Sequence, residues 1–115
     1  MGQPIIEITE SGLDTGVVGS CTGGLQPKGY TKFTCYVATA TGTIAGLVMV
    51  VQTSPDDGVT WYDAIEATDD KHAAVPAGVT HYHFSFHKAV STQFRLCVET
   101  ASSVASTANI YVMGE

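Results

Sequence analysis

Apolar residues alternate with polar ones along most of this chain, and no stretch carries them at the spacing of a helix. Residues 30–39 place Phe33, Cys35 and Val37 on one face and Lys32, Thr34 and Tyr36 on the other, which predicts a half-buried strand. Residues 81–87 alternate strictly, with Tyr82, Phe84 and Phe86 facing one way and His81, His83, Ser85 and His87 the other. Phe94, Leu96 and Val98 form a core face opposite Arg95, Cys97 and Glu99, and a last strand carries Ile110 and Val112 inward. Residues 43–53 are apolar on both faces, as expected of a central strand covered on both sides. Ile5, Ile6 and Ile8 predict a short first strand. The Gly-rich residues 11–29 that follow lack the apolar content for a core of their own, so they read as an arm laid on the domain or on a neighbour, or as a loop. Turn signals at 69–71, 76–78 and 101–103 separate the later strands. The pattern predicts one all-β domain over residues 1–115, a single antiparallel β-sandwich or jelly roll of about seven or eight strands.

The sharpest local signal is a hairpin. Residues 54–61 fit S-x-D-x-G-x-T-W, the Asp-box pattern, at every fixed position. Pro55 presets φ for a turn, the Asp56 carboxylate can accept from nearby backbone N–H groups, and Gly58 can take the positive φ that closes such a loop. Asp57 also serves turn formation, and its truncation to Ala is expected to be nearly silent. Trp61 then opens a return strand over 59–66, and its ring is expected to be buried across the hairpin. Ser54, Asp56, Gly58 and Trp61 are structural residues in this reading, not catalytic ones.

Composition narrows the partners. Only 14% of the 115 residues are charged, against about 25% in an ordinary soluble domain, so much of the surface is expected to be covered by a partner or by other copies. A net charge of −6 with five Lys and Arg argues against nucleic acid, whose phosphates need clustered cations. The N-terminus has no basic leader, and the longest apolar run, residues 44–51, is far short of a membrane span. The expectation is a product made in the cytoplasm with no membrane partner. Cys21, Cys35 and Cys97 are odd in number and form no C-x-x-C pair, which suits a reducing compartment and favours buried thiols over a disulfide or a metal site.

Residues with catalytic potential are few. The chain has no G-x-S-x-G elbow, no phosphate-binding loop and no H-E-x-x-H helix. His81 and His83 share a strand face and could bind a metal with His87 or His72, but Ser85 interrupts the row, and a solvent or interface face accounts for it more simply. Asp56, Asp57, Asp63, Glu66, Asp69 and Asp70 gather six carboxylates, which turn formation and solvation explain without a calcium ion. No metal and no cofactor is expected.

Residues 52–63, Q-T-S-P-D-D-G-V-T-W-Y-D, in a small Gly/Thr/Ala-rich all-β chain, resemble the small structural proteins of tailed bacteriophage virions, in particular capsid decoration or cement proteins. The resemblance implies a non-enzymatic dimer or trimer that docks on the outside of an assembled shell of major capsid protein. There it holds adjacent capsomers together, and its location is the virion. Contact elements in that reading are sheet edges, the N-terminal segment, Tyr30, Tyr36 and Tyr62, joined by His81, His83 and His87. The alternatives are a phage tail or head-completion protein, a carbohydrate-binding module presenting Trp61, Tyr62 and His81, and a metal-dependent enzyme using the histidine row.

Overall fold

The computed structural model describes residues 5–26, 29–63, 72–87 and 93–114, with the side chains of 5–10, 72 and 87 excepted. The described residues contain no helix and eight strands: β1 Ile5–Asp14, β2 Lys32–Thr41, β3 Val48–Ser54, β4 Tyr62–Asp63, β5 His72–Ala74, β6 His81–His87, β7 Gln93–Thr100 and β8 Thr107–Gly114. They form two antiparallel sheets. The first has the order β1-β8-β2-β6. In the second, β3 is central: β7 lines one edge over Val48 to Ser54, while β4 and β5 share the other, β5 against Val48 to Val50 and β4 against Gln52 and Thr53.

Alternation turns these strands into a sandwich. In β2, Phe33, Cys35 and Val37 point inward and are buried, and in β8 so are Ala108, Ile110 and Val112. From the second sheet Met49, Val51, Phe94, Leu96 and Val98 meet them. The junction is aromatic: the Phe33 ring lies 4.7 Å from that of Phe94, and Phe86 meets Phe94 edge-on at 5.8 Å. Residues 43–47 depart from the expected strand. Gly42 and Gly46 both have positive φ, so the chain turns there, and Ile44 and Leu47 plug the end of the core from that turn. At Gly42 the chain is also crowded, since a Cβ would meet the Ser106 side chain at 2.6 Å. Residues 64–71, the rest of the expected return strand and the turn after it, lie outside the described residues.

The N-terminal segment is built into the domain. β1 is a ten-residue strand on β8, longer than its three isoleucines suggest. It accommodates register shifts between Ile8 and Leu13, and the Asn109 side chain accepts from the Gly12 N–H at 3.0 Å where the ladder is interrupted. Beyond Asp14 the chain crosses to the second sheet and runs antiparallel to the free edge of β7. Gly19 N–H donates to Val98 O, Val98 N–H to Ser20 O, Thr22 N–H to Leu96 O, and Leu25 and Phe94 exchange both bonds. At the crossing the hydroxyls of Thr15, Ser102 and Ser106 lie within 2.8–3.1 Å of one another, and the carbonyls of Thr15, Val104 and Ser106 are among their acceptors. These buried groups are therefore satisfied while they tie the loops together.

One expectation is overturned along that edge. Cys21 and Cys97 form a disulfide, Cα to Cα 4.0 Å, and only Cys35 is a free, buried thiol. Cys21 faces Cys97 between the Thr22–Leu96 and Val98–Ser20 bonds, the non-hydrogen-bonded register in which opposed Cα atoms come closest. Spacing along the sequence could not show this, because the pairing joins residues 76 apart through a segment with no strand pattern. Cys35 behaves as expected, and burial pushes its thiol well above the usual range, leaving it inert.

Candidate functional site

The hairpin residues assemble as a unit. Ser54 ends β3 buried, and its Oγ accepts from the Gly58 N–H at 2.8 Å while donating to Asp56 Oδ1 at 2.9 Å. That carboxylate oxygen also accepts from the Thr60 N–H at 2.8 Å. The Thr60 backbone bond, then the Thr60 hydroxyl, hold the Asp56 carboxyl below the usual carboxylate range, with the Ser54 hydroxyl adding to the effect. Gly58 has φ 87°, as the pattern requires, and Asp57 has φ 59°. Asp57 is thus a turn residue in the left-handed region, which corrects the expectation that its truncation to Ala is silent.

Trp61 is half-buried and lies outside the core, which corrects the expectation of a buried ring. Its indole N–H donates to Gly58 O at 3.1 Å, and the Arg95 guanidinium lies 4.3 Å from its ring centroid. From Arg95 a polar ladder crosses the outer face of the second sheet. Arg95 Nε–H donates to Gln52 Oε1 at 2.9 Å, and Gln52 Nε2–H donates to Asp63 Oδ1 at 3.0 Å. Beside it is an open depression of about 320 Å³ walled by Val18, Val50, Glu99 and the disulfide. Arg95 is already occupied by Gln52 and Trp61, and carboxylates flank it, so an anion gains little there.

The outer face of the first sheet is different in character. Register sets His83, Tyr36, Tyr111 and Ile8 in one row across its four strands, and Ser85, Thr34, Met113 and Ile6 in the next. The Tyr36 and His83 rings lie 5.0 Å apart, and the Thr34 and Ser85 hydroxyls bond at 2.9 Å. Tyr36, Tyr111 and Met113 are half-buried, while His81, His83 and Ser85 are exposed. Lys32 and His87 pair at one end. Asp14 stands at the far corner opposite Thr107, its carboxylate accepting from the Gly16 N–H.

Of the residues singled out for contact, Tyr36, His81 and His83 therefore share this face, and His87 holds a register position on it. Tyr30 does not: its ring meets Phe33 edge-on at 6.5 Å and covers Gly114, so it packs against the core. Tyr62 is exposed, but on β4 of the other sheet. The three-ring platform of Trp61, Tyr62 and His81 is thus not assembled, since His81 belongs to the first sheet and the Arg95 guanidinium lies over the Trp61 ring. His72 lies on β5, in the second sheet, away from the histidine row. Among the described residues no three His, Cys, Asp or Glu side chains converge as metal ligands. Tyr111, Met113 and Asn109 were not singled out from the sequence. The signal was present, because Ile110 and Val112 inward place their neighbours outward. No protein-family model matches the chain, and no curated protein matches it.

Proposed function

We propose that this protein is a non-enzymatic virion structural protein that binds the outside of an assembled bacteriophage capsid and stabilises it, as a decoration or cement protein does. The resemblance of residues 52–63 to such proteins supports the reading. The observation that carries it furthest is the outer face of the first sheet, a broad surface with tyrosines and a methionine at its centre and polar groups at its rim. That is the composition of a protein contact surface. A protein of this kind works by bridging several shell subunits through contacts that are individually modest and together strong. Binding to an assembled lattice should therefore far exceed binding to isolated capsid protein. The test is co-sedimentation with expanded shells that lack the protein, against a column-bound capsid monomer as control. Retention on shells and not on the monomer is the expected result, and failure to sediment with shells removes the assignment in favour of a tail or head-completion role.

A further inference from the structure

We infer that the disulfide between Cys21 and Cys97 is a redox latch, opened and closed in the folded protein by thiol–disulfide exchange with a small dithiol. Cys21 is the sulfur attacked and Cys97 the leaving group. Opening releases residues 19–25 from the edge of β7. The inference does not depend on the capsid reading.

Access comes first. The disulfide forms part of the wall of the open depression of about 320 Å³ on the second sheet. Cys21 is half-buried there and Cys97 is buried, so a reagent arriving from solvent reaches the Cys21 sulfur. By alternation on β7, Cys97 shares a face with Arg95, the one cation among the described residues that line the depression. A thiolate leaving from Cys97 therefore forms near a positive charge, which favours that direction of cleavage.

The reduced state is provided for in place. Cys21 Sγ lies 3.3 Å from Gly19 O, and Cys97 Sγ lies 3.3 Å from Gln52 Oε1. A disulfide has no proton to give these oxygens, whereas two thiols have one each. Opening thus leaves the buried Cys97 thiol partnered, on the oxygen that also accepts from Arg95 Nε–H.

The exchange is a two-electron reduction. One thiolate of the dithiol attacks Cys21 Sγ, the bond between the cysteines breaks, and Cys97 leaves as a thiolate. The second thiolate attacks the dithiol's own sulfur in that mixed disulfide, Cys21 leaves, and the reductant ends as a cyclic disulfide whose two protons have passed to the cysteines. Oxidation reverses these steps and finds the same pair, because Cys35 is buried and inert.

What the latch holds is a thin strap. Gly19, Gly23 and Gly24 are exposed, and Leu25 is its apolar side chain packed against the core. Little apolar area opposes release once the link is cut. The pairing of β7 with β3 is untouched, so unlatching bares the β7 edge without unfolding the sandwich.

Thiol quantitation of the full chain in native buffer with dithiothreitol tests access. Reduction should be first-order in dithiothreitol and within about 10-fold of the rate in unfolding urea. A larger slowing, up to the about 1,000-fold or more expected of a bond reached only by global unfolding, would overturn the inference. With β-mercaptoethanol and iodoacetamide together, peptide mapping should find the mercaptoethanol adduct on Cys21 and the alkyl group on Cys97, and the reverse pattern would overturn the assigned direction. Hydrogen exchange on the reduced chain should speed at Phe94, Leu96 and Val98 beyond the rest, with cooperative melting retained and the original rates restored on reoxidation. A reduced chain that exchanges uniformly, or one whose β7 edge exchanges as before, would overturn the latch.

Discussion

Gly58 is the hairpin position that tolerates least. Its φ of 87° excludes β-branched residues, and a Cβ there would stand 3.0 Å from the Gln93 side-chain oxygen. Gly58→Val should therefore cost about 2 kcal/mol or more in urea unfolding. Asp57, at φ 59°, should lose about 1 kcal/mol as Asp57→Ala and little as Asp57→Gly. Equal losses in Gly58→Val and Asp57→Gly would count against this turn geometry. Asp56 adds a dependence on pH. Its folded carboxyl is held below the ordinary value by the Thr60 bonds, so its stabilisation is complete above that value and is lost as pH falls through the lower, folded one. Asp56→Asn should accordingly flatten the acid limb of melting temperature measured from about pH 5 to about pH 2. The motif made Ser54, Asp56 and Gly58 legible because each supplies a fixed backbone need. It did not reveal the positive φ of Asp57, which occupies a variable position, or the Arg95 that holds Trp61 at half burial from a strand far along the chain.

Among the elements, the covalently fastened edge of β7 invites the clearest test. Linking residues 76 apart removes chain entropy from the unfolded state worth about 4.5 kcal/mol in the loop-closure model. Cys21→Ser should lower the melting temperature, and should also speed amide hydrogen exchange at Phe94 and Val98, whose N–H groups donate to Leu25 and Ser20. The β2–β8 amides, whose ladder does not include the segment, should speed only by as much as global stability falls. Unchanged exchange at Phe94 and Val98 would mean the backbone pairing alone holds that edge. Strands β2, β6, β7 and β8 could be read from alternation, since one face of each is buried. Of β1 only the isoleucine start could be read, and residues 19–25 not at all, because the rest are edge segments rich in Gly and polar residues whose partners lie near the other end of the chain.

At the scale of the molecule, period alone gave which residues point outward from each strand but not which strands are neighbours. Tyr36 and His83 were expected to face out, and they meet because β2 and β6 pair. Tyr111 joins them only because β8 returns between β1 and β2. Tyr30 and Tyr62, also expected as contact residues, lie away from that face, since sheet membership has no local signature. The N-terminal segment that pairs with β8 and then with β7 has a consequence for synthesis. β1 leaves the ribosome about a hundred residues before its partner β8 and must wait for it, and Cys21 must wait for Cys97, with Cys35 the one other thiol to emerge in the interval. Until β8 is complete the isoleucines of β1 have no sheet to join. The chain therefore closes like a clasp, all at once and late, and the burial of Cys35 in the finished core is what takes the competing thiol out of reach.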